Sequence, residues 1–167
     1  MTDLVAMVRL QLQRSHERVQ RCLADLSEED AQRCPLPRLS PIVWQVGHLA
    51  LYDGRAVQKA GTVWTGPEAY ERLFLAGTGG PAGYPPIWQV RETFDRTHSA
   101  ILRIAEEADL ARPVEGQMYT NVGGMLIFAC VHRGYHIGKM TTLRALLDKP
   151  VLFGPAMAGA PPRPAAS

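Results

Sequence analysis

Four long stretches of the chain repeat their apolar residues at the spacing of an amphipathic helix, and this pattern limits the possible folds more than any other feature. In the first stretch, for example, Leu4, Val8 and Leu12 recur with polar residues between them. No stretch shows the alternation of apolar and polar residues that is typical of a strand. The four stretches are residues 4–26, 40–61, 85 to about 108, and 121–148.

Residues that commonly begin or end helices mark the limits of these stretches. Ser40 is a candidate N-cap with Pro41 in the first helical position, and Asn121 is a candidate cap of the last helix. Gly61 suits a C-terminal stop. After the first stretch, the segment "LSEED" and the two prolines of "CPLPRL" break the pattern, because proline cannot continue a helix.

Residues 62–84 form a long connection between the second and third helices. The segment "GPEAYERLFLAG" has room for one or two helical turns, and the glycines and prolines of "GTGGPAGYPP" indicate an irregular loop. A connection of this length frees the two helices from a tight antiparallel hairpin. We therefore expect an all-α four-helix bundle over residues 1–150, with a long crossover between the second and third helices. Residues 151–167 form a Pro/Ala/Gly-rich tail outside it.

Composition narrows the environment and the partners of this domain. The chain has 167 residues, of which 46% are hydrophobic, and a net charge of +2 that is too small to favour nucleic acid as a partner. The longest apolar run, residues 125–131, is too short to cross a membrane, and no secretion signal begins the chain. The three cysteines form no C-x-x-C pair, which favours free thiols in the cytoplasm.

Two histidines lie four residues apart on the apolar face of the fourth helix. His132 and His136 follow Met125 and Ala129 on that face, and Met140 continues it. Their rings should lie about 6 Å apart along the helix axis, a spacing that lets two imidazoles reach one metal ion. The alternative is a pair of buried histidines that each bond to a carbonyl, but a shared ion explains both at once.

The second helix offers a third ligand, His48 in "WQVGHLALY", where Trp44 and Tyr52 belong to the same apolar and aromatic face. Three glycines accompany the histidines, and small residues let helix backbones approach closely enough for metal–nitrogen bonds of about 2.0–2.1 Å. Ordinary close packing or a tolerated defect explains these glycines equally well. They are Gly47, Gly134 and Gly138.

The two remaining histidines are expected to lie outside this site. His98 falls near the apolar side of the third helix, where Asp95 could orient its ring, and we expect it to be half-buried between helices. His16 follows the polar side of the first helix and should face solvent. The chain has no H-E-x-x-H motif, no pair of Glu-x-x-His motifs, no G-x-S-x-G and no P-loop, which argues against the enzyme classes that carry them.

Taken together, "SPIVWQVGHLALYDG" and "HRGYHIGKMTTLRALLDKP" resemble the DinB/YfiT-like superfamily of bacterial metal-binding four-helix bundles, over about residues 1–150. The resemblance implies that His48, His132 and His136 bind one divalent ion, usually zinc or nickel. It also implies a homodimer. Characterised relatives include thiol S-transferases and isomerases that use bacillithiol, mycothiol or glutathione, and many others have no known reaction.

Two positions depart from the pattern of the family. Arg133 stands where relatives often have an acidic or small residue, and Lys139 stands where they often have glutamine. The added positive charge favours an anionic substrate, although two surface side chains that extend into solvent explain it equally well. Tyr52, one turn after His48, is a candidate proton donor or substrate contact, or else a core residue.

Three neutral imidazoles leave coordination positions open, which is the pattern of a catalytic site. The ion would lower the pKa of a bound water or thiol. The resemblance to thiol S-transferases, together with the affinity of thiolate for zinc and nickel, implies a transferase that activates a low-molecular-weight thiol and acts on a small-molecule substrate. A metal-dependent hydrolase and a non-catalytic, stress-related metal-binding module are the alternatives. The sequence assigns no catalytic residue.

Overall fold

The computed structural model describes residues 3–37, 39–64, 66–80, 83–116 and 118–153. Within these ranges the chain is all-helical, and the expected bundle of four long helices with a long crossover is confirmed. Most of the expected tail, residues 154–167, lies outside the described residues. The helices are α1 (Leu4–Leu23), α2 (Glu28–Gln32), α3 (Ile42–Lys59), α4 (Ala69–Phe74), α5 (Ile87–Glu107) and α6 (Val122–Leu146).

The four long helices pack as a ring in which each touches two others. Helix α3 packs against α5 and α6, and α1 packs against the same two helices. The pairs α1/α3 and α5/α6 lie on the diagonals and touch little. Because α3 and α6 are neighbours, side chains from the second and fourth long helices can meet inside the bundle.

Side-chain caps explain where two of the long helices begin. The Asp3 carboxylate accepts a hydrogen bond from the Val5 amide at 3.0 Å, and Asn121 Oδ1 accepts one from the Gly124 amide at 2.8 Å. The expected cap at Ser40 is wrong, since α3 begins after Pro41 without a side-chain hydrogen bond.

Two short helices lie in the connections. Helix α4 occupies the segment in which one or two turns were expected. Helix α2 was missed, because "LSEED" was interpreted only as a break. Its start signal is a capping box, in which Ser27 and Asp30 each accept a hydrogen bond from the other's backbone amide. No helix among the described residues has the length and apolar character needed to cross a membrane.

A layer of polar side chains divides the apolar core into two groups. On α3 the break falls between Leu51 and Ala56, and on α6 it falls between Ala129 and Ile137. All five histidines lie on the long helices at or near this layer, which is therefore the place to look for a functional site. Its buried polar members are Ser15, His48, Asp53, Thr97, His98, Arg133 and His136.

Candidate metal centre

Helices α3 and α6 bring His48, His132 and His136 together, and we call these residues the three-histidine cluster. One ring nitrogen from each residue can be chosen so that all three lie within 4.8 Å of one another. The Nε2 atoms of His132 and His136 are 3.1 Å apart. Among the His, Cys, Asp and Glu residues of the described part of the chain, these three form a group that could hold a metal ion.

Hydrogen bonds to the other ring nitrogen fix the tautomer of two of these histidines. His48 Nδ1 lies 2.8 Å from the carbonyl oxygen of Phe74, which only accepts, so Nδ1 carries the proton. His136 Nδ1 lies 2.6 Å from Gln45 Oε1. The orientation of that amide is set by its Nε2, which donates to the Ser40 carbonyl at 3.2 Å. His48 and His136 therefore both keep the lone pair of Nε2 free for a ligand bond.

The distance between the His132 and His136 nitrogens fits two ligands of one divalent ion. With metal–nitrogen bonds of about 2.0–2.1 Å, neighbouring ligand nitrogens lie about 2.8–3.4 Å apart in octahedral or tetrahedral geometry. The distance of 3.1 Å between His132 and His136 falls in this range. Their rings are nearly perpendicular, at 88°, so the two imidazoles approach the same point from different directions.

Burial keeps these imidazoles neutral. It lowers the pKa of His48 and of His132 to about 4, and that of His136 to about 2. Nearby positive charges act in the same direction, with Lys139 affecting all three rings. Neutral rings are the form that binds metal, and no carboxylate among the described residues joins the group that would hold the ion.

The cluster is closed on two sides and opens beside His132. His48 and His136 are 5% and 2% exposed, whereas His132 is half-buried and lines a cavity of about 170 Å³. Tyr52 lines the same cavity, and its ring centre lies 4.4 Å from that of His48 and 5.4 Å from that of His132. Tyr52 is thus placed beside the cluster, and its role in catalysis or binding stays a prediction.

Arg133 does not lie at the rim of the cluster. Its side chain is fully buried, with Nε and Nη2 donating to Asp53 Oδ2 at 3.0 and 2.8 Å and Nη1 donating to the Leu12 carbonyl at 3.0 Å. Successive helical residues point about 100° apart, so the residue after His132 turns toward α1. The interpretation of Arg133 as a surface side chain is therefore wrong, and a contact between Arg133 and substrate stays a prediction.

Lys139 is exposed, as one of the two interpretations expected. Its ammonium lies 4.5 Å from the centre of the Tyr135 ring. It lines a different cavity, of about 360 Å³, together with Gln45 and Ser40. A contact between Lys139 and substrate stays a prediction.

The other two histidines join Arg133 in a second polar group. His98 Nδ1 lies 3.3 Å from Arg133 Nη1, and the His98 ring stacks on His16 at 3.9 Å. His16 Nε2 lies 2.7 Å from Asp95 Oδ1, so Asp95 orients His16 and not His98. His98 lies outside the cluster as expected, but His16 is half-buried and the expectation that it faces solvent is wrong. We call His16, Asp53, Asp95, His98 and Arg133 the Arg133 network.

The glycines differ in what surrounds them. A Cβ atom at Gly47 would overlap the Phe74 ring, so close packing explains this glycine, and the neighbour is the residue whose carbonyl orients His48. Gly134 and Gly138 face open space and do not bring the ligand helices together.

Sequence reasoning missed the groups that orient the rings. Gln45 carried a signal, because it is a polar residue one turn before His48 in a helix that is otherwise apolar there. The Phe74 carbonyl carried none, since a backbone group far away in sequence leaves no trace in residue type.

A sequence profile described as the DinB superfamily matches residues 11–140, a span that contains all three histidines of the cluster. No curated protein matches the chain.

Proposed function

The chain belongs to the DinB superfamily, and from this premise we propose that it is a divalent-metal-dependent thiol transferase. His48, His132 and His136 would hold zinc or nickel. A low-molecular-weight thiol would lose its proton to solvent, its sulfur would bond to an electrophilic carbon of a small substrate, and the group displaced from that carbon would leave with the bonding electron pair. The observation that carries the proposal is the convergence of three neutral imidazoles without a carboxylate at a site that opens onto a cavity.

The donor set supports zinc or nickel, because imidazole nitrogen suits both ions. When bound, such an ion supplies a positive charge that favours the ionised form of a thiol. The chain's own part is to hold the ligand rings in place, through Gln45 and the Phe74 carbonyl, and to keep water from the buried side of His48 and His136.

The surroundings of the cluster favour a thiol over water as the nucleophile. A thiol with a pKa of about 8.5 needs a far smaller shift than water, at about 15.7, to ionise at neutral pH. Within the described ranges no carboxylate joins the cluster as a proton acceptor. Tyr52, packed on the rings of His48 and His132, would donate a proton to the substrate.

Two observations oppose a purely structural metal. A structural zinc site is usually closed by four protein ligands, and the described residues supply three. The half-buried ring of His132 also borders a cavity, as a site that receives a substrate requires.

A conjugation assay tests the proposal. Zinc- or nickel-loaded protein is mixed with bacillithiol, mycothiol or glutathione and with monochlorobimane as the electrophile. We expect metal-dependent conjugation that is lost in His136→Ala and retained in His98→Ala, whose ring lies in the Arg133 network. The proposal fails if the metal accelerates conjugation with none of the three thiols and if no thiol changes the spectrum of cobalt-substituted protein.

We also propose that the protein is a cytoplasmic homodimer. Ile127, Val131 and Tyr135 are 50%, 63% and 59% exposed at four-residue spacing on α6, beside the exposed Leu4 and Met7 of α1. A second copy would cover this apolar surface. Sedimentation should show a dimer that Val131→Glu dissociates, and a wild-type monomer at tens of micromolar would refute it.

A further inference from the structure

Three aromatic side chains line the cavity beside His132, together with apolar and charged residues. Phe128 stacks on His132 with ring centres 5.8 Å apart and an angle of 10°, and Tyr119 continues the series 5.8 Å beyond Phe128. Tyr52 forms part of the opposite wall, on α3. A ligand in this cavity would therefore contact π faces from the cluster outward.

The volume of the cavity limits the ligand to about one ring. An apolar cavity of about 150 Å³ is known to be enough to bind benzene. The cavity here, at about 170 Å³, is slightly larger, so it would accept a single planar ring with a small substituent.

Among the described residues that line the cavity, one cation has no charged partner. Arg55 pairs with Glu71, and the buried Asp53 pairs with Arg133. Lys59 has no ion pair among the described residues, and its ammonium donates to a neutral acceptor, the Glu115 carbonyl, at 2.7 Å. A carboxylate would be a stronger partner for Lys59 than that carbonyl.

Lys59 also lies at a suitable distance from the cluster. It follows Tyr52 by seven residues on the same face of α3, which corresponds to about 10 Å along the helix. Its ammonium lies 5.3 Å from the centre of the Tyr119 ring, at the outer part of the aromatic wall. A ring with a carboxylate at one end would span from Lys59 toward the open side of His132.

From these contacts we propose that the cavity binds an aromatic carboxylate as the substrate of the proposed reaction, with Lys59 as the residue that selects the negative charge. The inference rests on the proposed function for its reacting end, which would face the three-histidine cluster. The carboxylate would bind Lys59, and the ring would lie between Tyr52 and Phe128.

Binding of benzoate to the zinc-loaded full chain, followed by NMR titration, tests this inference. Lys59→Gln should raise the Kd for benzoate about tenfold, as expected for the loss of one charge-assisted hydrogen bond. Lys59→Arg should restore most of the affinity. Lys149→Gln is the matched control, because Lys149 pairs with Asp30 and lines a different cavity. Benzamide, which has the same shape without the charge, should bind more weakly than benzoate.

Cobalt-substituted protein locates the probe, because the paramagnetic ion should broaden the ring protons of benzoate in the wild type. The inference is overturned if Lys59→Gln binds benzoate as the wild type does, if Lys149→Gln weakens binding as much as Lys59→Gln, or if benzamide binds as tightly as benzoate. Zinc content is measured in every sample. Absence of zinc from the wild type would count against the proposed function, whereas equal zinc with an unchanged Kd in Lys59→Gln counts against this inference alone.

Discussion

The polar layer of the bundle contains two groups of histidines that differ in their partners. In the three-histidine cluster, His48 and His136 each bond to a neutral acceptor and turn the other nitrogen toward a common point. In the Arg133 network, His16 bonds to the carboxylate of Asp95 and His98 lies against the guanidinium of Arg133. The first group is open to a ligand, and the second is satisfied by the protein itself.

The difference shows how one helix separates two kinds of chemistry. His132 and Arg133 are adjacent on α6, yet His132 faces the ring of His48, whereas Arg133 bonds to Asp53 and to the Leu12 carbonyl. The carboxylates of the polar layer, Asp53 and Asp95, both belong to the network. The cluster is left with histidines alone, so the charge of a bound ion would be available to substrate.

The largest expected difference between the two groups is in metal content. His48→Ala, His132→Ala and His136→Ala should each lose the divalent ion, because each removes one of three ligands. His98→Ala should retain it. Elemental analysis after identical purification measures the difference. Wild-type metal content in all three ligand variants would contradict the assignment of the cluster as the metal centre.

The Arg133 network should contribute to the free energy of unfolding, whereas the three-histidine cluster should determine metal content. Arg133→Met leaves the buried Asp53 carboxylate without its partner and should lower the free energy of unfolding by about 3–5 kcal/mol. Burial already raises the pKa of Asp53, which makes an unpaired charge there costly. Urea unfolding of zinc-free protein measures the effect.

The double variant Asp53→Leu/Arg133→Met is the control for this experiment. Removal of both charges should recover much of the lost stability, since a buried ion pair contributes little net free energy compared with an apolar replacement. A single variant as stable as the wild type would show that the network does not stabilise the bundle.

The fold could be predicted because helical periodicity depends on local sequence. The four long helices follow from apolar spacing, and Asn121 caps α6 as expected. The long crossover follows from its glycines and prolines. The short α2 was missed because five residues are too few to show a period, although its capping box was present in the sequence.

The site could be predicted only as far as the faces of single helices allow. The three histidines lie on apolar faces, and the structure brings them together. Arg133 and His16 were wrongly expected at the surface, because a helical wheel shows the direction of a side chain but not which residues of other helices lie in that direction. A buried arginine becomes possible only when Asp53 and the Leu12 carbonyl are supplied by other helices.

A smaller effect should come from the groups that orient the ligand rings. Gln45→Leu removes the acceptor for His136 Nδ1 and should weaken zinc binding about 10- to 100-fold. Gln20→Leu is the matched control, because Gln20 donates to Asp95 at 2.6 Å in the other histidine group and should leave zinc affinity unchanged. Competition with a chelating dye measures both affinities. Equal zinc affinity in Gln45→Leu and Gln20→Leu would show that the hydrogen bond does not orient His136.

The smallest effect should be on the pH dependence of stability, and it concerns His98. Burial lowers the pKa of His98 from 6.5 to about 3, with the charges of Arg133 and His16 acting in the same direction. His16 in turn faces Asp95, and Arg133 faces Asp53. Between pH 6.5, the pKa of a free histidine, and about pH 3, the pKa of His98 in the folded protein, the unfolded chain binds a proton at His98 that the folded protein does not. Stability should therefore be complete above about pH 6.5 and fall as the pH drops toward about 3.

Replacement of His98 by glutamine removes this proton uptake while keeping a polar side chain. The slope of the unfolding free energy against pH, measured by urea titration of zinc-free protein near about pH 4.5, should decrease by about one proton relative to the wild type. The three ligand histidines titrate in both proteins, so their contribution cancels in the difference. An unchanged slope would mean that His98 is protonated in the folded state. The prediction that His98 stays neutral beside the charged Arg133 would then be wrong.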